Sequence, residues 1–146
     1  MKLNFTLSEF CLDAKKVPVL VADKLLKYHI LPMQPIRNKL NLSITASQKS
    51  GYRSRAHELN RGRSGNSQHT FGEKADGSFS DNAKGAVDWT CSDLDALEFE
   101  LINNSNYTRI ARYKNFIHCD YKSTKSGKRE LYSSDRKSNW TFIKFI

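Results

Sequence analysis

The hydrophobic period of this chain changes near Leu42, and that change constrains the fold more than any other feature. Before it, Val19, Ala22 and Leu26, with Val21, Leu25 and Tyr28, recur at helical spacing, and Pro18 stands where a first helical turn tolerates proline. This predicts a helix over about residues 18 to 30. Pro32 and Pro35 should interrupt it, with Met33, Ile36 and Leu40 forming a further helix that ends near Asn41. Thr6-Leu7-Ser8-Glu9 has the form of a capping box and places a short helix near Leu7. After the change, Leu42, Ile44 and Ala46 alternate with Ser43, Thr45 and Ser47 in the pattern of a half-buried strand. Further strands are predicted over Gly85 to Trp89, Arg109 to Tyr113, Phe116 to Tyr121 and Trp140 to Ile146. Ser126-Gly127 would be a hairpin turn returning through Glu130-Leu131-Tyr132. Ser92-Asp93-Leu94-Asp95 opens a helix running to about Asn103. Helices first and strands after them predict an α+β fold, with N-terminal helices packed on a small antiparallel sheet.

At 146 residues the chain fits one domain with its own core, spanning 1–146. A hydrophobic fraction of 38% and an aromatic fraction of 11% argue against global disorder. The net charge of +9 favours a polyanionic partner: nucleic acid, anionic membrane or an anionic cell-wall polymer. Charge alone does not choose among them. The three cysteines are odd in number and show no C-x-x-C spacing, which fits neither a disulfide scaffold nor a cysteine-rich zinc site. A reduced protein made in the cytoplasm is the simpler expectation. The N-terminal MKLNFTLSEFCLDAKK lacks the apolar centre of a secretion signal, and no stretch is long enough for a membrane span.

Residues 54 to 84 are rich in Gly, Ser, Asn and Arg and read as a long loop with a helical turn over Arg55 to Asn60. Loops of that length in a compact domain are usually functional or disordered. Of the four histidines, His29 falls in a helix beside Tyr28 and Ile30 and reads as an ordinary surface or core residue. His57 precedes Glu58 but lacks the second histidine of an H-E-x-x-H helix, which excludes that zinc motif. His69 and His118 remain.

Four short motifs come in order: Ser50-Gly51-Tyr52-Arg53-Ser54, Ser67-Gln68-His69-x-x-Gly72, Ala86-x-Asp88 and Phe116-Ile117-His118-Cys119-Asp120. Together they resemble the hedgehog/D-Ala-D-Ala-peptidase superfamily, in particular its small zinc peptidases of bacterial and phage origin that cut peptidoglycan peptides. The likeness covers roughly residues 5 to 121 and leaves a hairpin and strand over 122–146 outside it. It implies one zinc ion held by His69, Asp88 and His118. The family places its aspartate seven residues after the histidine, where this chain has Asp76. The alanine of the motif is out of register there, so residues 73 to 84 are read as an insertion. Asp88 is then the ligand, with Asp76 as the alternative. Two imidazoles and one carboxylate leave zinc a net positive charge, which lowers the pKa of its bound water to about 7. The resemblance also supplies two catalytic candidates. Asp120 would orient the site or handle protons of the attacking water, and Arg53 would grip a substrate carboxylate or the tetrahedral oxyanion. Ser67 would hold the loop or a substrate carboxylate.

The implied function is zinc-dependent hydrolysis of peptide bonds in bacterial peptidoglycan, as endopeptidase or D,D-carboxypeptidase. A monomer without an export signal would reach the wall by phage lysis, as an endolysin does, or as a virion component. The alternative is a non-enzymatic basic module binding nucleic acid or serving in a virion. In that reading Arg53, Arg55, Arg61 and Arg63 form a phosphate patch, and Tyr107, Tyr113 and Tyr121 offer stacking surfaces. No motif supports it, and no specific nucleic acid is expected. Trp140 and Phe142 are read as core.

Overall fold

The computed structural model describes residues 2–12, 14–47, 49–135 and 139–146. Helix α1 (Val19–Lys24), a π-helical turn over Leu25–Ile30 and helix α2 (Leu31–Leu40) follow one another without a break. Pro32 and Pro35 therefore do not interrupt the helix as the sequence predicts. Pro32 has no N–H for the Tyr28 carbonyl four residues back, but the wider turn before it accommodates the ring, and the Tyr121 hydroxyl donates to that carbonyl at 2.7 Å. Asn41 ends α2 in the left-handed region, at φ 52°. The capping box is present, with the Thr6 N–H donating to Glu9 Oε2 at 2.6 Å, around a single 3₁₀ turn at Leu7–Glu9. Helix α3 (Arg55–Asn60) starts at Ser54, whose hydroxyl accepts from the His57 N–H, and α4 (Leu94–Asn104) at Asp93, whose carboxylate accepts from the Ala96 N–H. Among the described residues, no helix is long and apolar enough to cross a membrane.

Strands β1 (Ala86–Trp89), β2 (Arg109–Arg112), β3 (Ile117–Asp120), β4 (Glu130–Ser134) and β5 (Trp140–Phe145) form one sheet in the order β1-β3-β2-β4-β5. The sheet is mixed rather than antiparallel, because β4 runs parallel to β2. Gly127 does turn the chain after β3, but both edges of β3 are already taken by β1 and β2. The returning strand docks on the far side of β2 instead of forming a hairpin. Residues 42–47 form no strand; Thr45 alone pairs with Thr90, while Ile44 and Ala46 are buried.

Alternation along the strands sorts the sheet into two faces. Val87, Cys119, Ile110 and Leu131 lie in register across four strands and are buried, in one cluster with Trp89, Phe10, Leu25, Met33, Leu97 and Leu101. Each such side chain contributes about 1.5–3 kcal/mol by burial. The other face carries two rows that cross all five strands: Asp88, His118, Ala111, Tyr132, Phe142 and, beside it, Ala86, Asp120, Arg109, Glu130, Phe145.

His29 is a core histidine. Its Nε2 faces the Lys84 carbonyl at 2.9 Å and must carry the proton, so Nδ1 accepts from the Tyr107 hydroxyl at 2.8 Å. Burial pushes its pKa down to about 4. Gly85, just before β1, has φ +82°, and a Cβ there would lie 2.2 Å from the Phe71 ring. Only glycine lets the chain enter β1 at that point.

Candidate metal centre

Asp88 and His118 stand directly opposite each other in the β1–β3 pair, so their side chains share a face and meet. Asp88 Oδ1 lies 2.8 Å from His118 Nδ1. His69 comes from a 3₁₀ turn at Gln68–Thr70 whose cap is Ser67, with the hydroxyl accepting from the His69 N–H at 3.2 Å. Its Nδ1 donates to the Gly51 carbonyl at 2.8 Å, which fixes the tautomer and leaves Nε2 facing Asp88 Oδ1 at 3.3 Å.

The segment Ser50 to Arg53 ties these elements together. Its Ser50 carbonyl accepts from the Asp88 N–H at 2.7 Å, and its Arg53 N–H donates to the His69 carbonyl at 2.9 Å. Gly51 passes so close to Phe10 that a Cβ would lie 2.4 Å from the Phe10 carbonyl oxygen. The glycine of the Ser-Gly-Tyr-Arg motif is thus a packing requirement that lets its carbonyl reach His69.

One ligand-type atom from each of His69, Asp88 and His118 lies within 4.8 Å of the others. Asp120, two residues beyond His118 on the same face, accepts from His118 Nε2 at 2.8 Å, from Arg109 Nε and Nη2, and from the Lys122 N–H at 3.0 Å. Arg109 is its directly opposed neighbour on β2, so the pairing register builds this ion pair. Four donors fill the four lone-pair positions of a fully buried carboxylate. Asp120 lies behind His118 and does not line the cleft.

The electrostatics fit a cation. Burial alone would raise the pKa of Asp88, but the charge of His69 and the hydrogen bond from His118 hold it well below the usual carboxylate range. Burial would lower that of His118, yet its hydrogen bonds to Asp120 and Asp88 outweigh this and raise it to about 9. The extra proton on Nδ1 occupies the position a metal ion would take. Two imidazole nitrogens aimed inward by a carbonyl and a carboxylate on their other nitrogens, plus one carboxylate oxygen, match the three-ligand set of a catalytic zinc. No cysteine belongs to the cluster; Cys119 alternates to the core face, where burial pushes its thiol pKa well up.

A cleft of about 280 Å³ opens onto the cluster, and Arg53 and Ser67 line it. So do five residues that sequence reasoning did not bring to the site: Glu58, Arg63, Tyr113, Phe116 and Trp140. Glu58 is fully buried; its Oε1 accepts from Arg53 Nε at 3.2 Å and its Oε2 from Arg63 Nη1. Burial raises the pKa of Glu58, but the two guanidinium groups pull it below the usual range. The sequence signal was the even spacing Arg53, Glu58, Arg63 around the Ser54 cap, which folds α3 back so that one carboxylate meets both arginines.

Asp76 is not in the cluster. It sits at the exposed tip of a small hairpin in which Glu73 pairs with Phe79, and its Oδ1 accepts from the Ser78 N–H and hydroxyl. The stacking surfaces suggested by the tyrosines are mostly internal. Tyr107 is buried between His29 and Trp89, Tyr121 is bonded to Tyr28, and Tyr113 stacks on Phe116 with ring centroids 4.3 Å apart. Trp140 and Phe142 are not core. Trp140 lines the cleft, and Phe142 is 47% exposed, because β5 is the edge strand of the sheet.

A family model described as peptidase M15 matches residues 3–120. No curated protein and no solved structure matches the chain. The match ends at the last residue of β3, so β4 and β5 lie beyond it.

Proposed function

Because the chain belongs to the peptidase M15 family, we propose that it is a zinc metallopeptidase hydrolysing peptide bonds of bacterial peptidoglycan. What carries the reading is the convergence of His69 Nε2, Asp88 Oδ1 and His118 Nδ1, from three separate elements, at the floor of an open cleft. These three hold one zinc ion. When bound, it supplies a water that ionises near pH 7 and a Lewis acid for the peptide carbonyl.

The protein's own residues do the rest. Asp120, its four acceptor positions filled, orients His118 and is not left free to move protons. Arg53, steadied by Glu58, presents its guanidinium to a substrate carboxylate or to the oxyanion. Ser67 holds the turn that delivers His69. The basic surface suits an anionic wall, which the enzyme reaches as a monomer through a phage lysis or virion route, acting as endopeptidase or D,D-carboxypeptidase. Zinc content of the purified protein and mass analysis of a defined muropeptide digest test this. One zinc per chain and a cleavage lost in His69→Ala are expected. A protein that holds no zinc, and leaves wall suspensions intact, refutes the reading.

A further inference from the structure

The aromatic side chains of β4 and β5 have no part in the reaction above, and they lie outside the matched residues 3–120. Yet they adjoin its site. The row Asp88, His118, Ala111, Tyr132, Phe142 crosses the open sheet face with one residue per strand. The Trp140 ring adjoins this row, its centroid 5.2 Å from that of His118. From Trp140 the rings continue: Tyr132 at 5.1 Å, Phe142 6.0 Å beyond it, and Phe145 a further 5.0 Å on. Trp140 is held in place by its Nε1–H, which donates to the Tyr113 hydroxyl at 2.7 Å. Phe142 and Phe145 are 47% and 49% exposed, so core packing does not account for them.

We propose that this ribbon is a subsite for the amino-sugar strand of the substrate, which runs on from the peptide held at the metal cluster. The identity of the polymer rests on the peptidase reading. A pyranose ring has an apolar face of C–H bonds with partial positive charge, which complements the negative face of an aromatic ring. Its hydroxyl groups project sideways from such a stack, towards solvent along the exposed edge strand. Continuity with the cleft favours this occupant over a second copy of the chain, whose docking would have no reason to begin at Trp140. A nucleic acid would need cations free to meet phosphates along the ribbon. Arg109, stacked over Trp140 at 4.7 Å, is committed to Asp120, and Lys128, over the Phe145 ring at 5.0 Å, gives the four rings one exposed cation among the described residues where a phosphate backbone calls for a row of them.

The test titrates a tetramer of N-acetylglucosamine into the zinc-loaded full chain and reads tryptophan fluorescence. Trp89 is fully buried and Trp140 is the only other tryptophan, so a change reports the ribbon. Saturable binding is expected in the wild type. Phe142→Ala and Phe145→Ala, both surface changes checked by zinc content, should each weaken it about tenfold, or about 1.4 kcal/mol. The same variants should raise KM for intact wall about tenfold while kcat holds. Cleavage of a sugar-free stem peptide by a protein that ignores the tetramer overturns the subsite and leaves the peptidase reading standing. Tetramer binding without any peptide cleavage sustains the subsite and removes the peptidase reading. Preferential, salt-dependent binding of a thymidine oligonucleotide overturns the proposal, as does light scattering that shows a dimer dissolved by Phe142→Ala.

Discussion

Replacing Asp120 with asparagine exchanges one carboxylate oxygen for an NH₂ group behind the metal cluster and should weaken zinc binding through the histidine in front. In the native arrangement His118 donates Nε2–H to Asp120, so Nδ1 is the nitrogen that turns towards Asp88 and the ion. The amide oxygen of the variant can still accept from Arg109 and from the Lys122 N–H. Its NH₂ group then faces Nε2, which can meet it only by giving up its proton. The proton that remains is then the one on Nδ1, the very atom required for ligation. Binding zinc must break this contact or force the disfavoured tautomer. Loss of such a supporting partner typically costs about 10–100-fold in metal affinity, which corresponds to about 1.4–2.7 kcal/mol. Competition against a chromophoric chelator at neutral pH measures the two dissociation constants directly, and thermal unfolding of both metal-free proteins shows whether the fold is kept. A folded Asp120→Asn protein that binds zinc as tightly as the wild type refutes the tautomer argument.

Three further outcomes are expected. Asp88→Ala should abolish zinc binding while Asp76→Ala keeps it, as read by metal content after dialysis, because only Asp88 stands in the cluster. Gly85→Ala should destabilise the protein by more than about 2 kcal/mol in denaturant unfolding, since the left-handed backbone alone costs about 1–2 kcal/mol for a side chain and the Phe71 ring fills the space. Stability should also fall as pH drops from 6.5 towards 4, because His29 takes its proton in the unfolded chain near 6.5 but in the fold only near 4. That difference is worth up to roughly 3 kcal/mol, is fully present above pH 6.5, and should vanish from the pH profile of His29→Gln.

His118 and Asp120 were legible in the sequence as neighbours because residues two apart on a strand share a face. The meeting of Asp88 with His118 was named by motif order alone, since nothing local sets the register of β1 against β3. The parallel β4 was not legible, because where a returning strand docks depends on which edges earlier strands have filled. Pro32 misled because helix breaking assumes a uniform α turn, and a π turn precedes it here. Trp140 and Phe142 misled for a different reason. Alternating apolar residues imply burial only where another layer covers the strand, and Thr141 to Phe145 lie exposed at the edge of the sheet.

The four residues from Ser50 to Arg53 bond to β1 on one side and to the His69 turn on the other, and hold the His69 ring as well. Their amide and carbonyl groups make the site and the fold a single cooperative unit. Opening of this segment would loosen His69 and Asp88 together, so the amide hydrogens of Arg53 and Asp88 should exchange with solvent in one event. An ion bound to ligands tied together in this way would secure the surrounding fold against reopening.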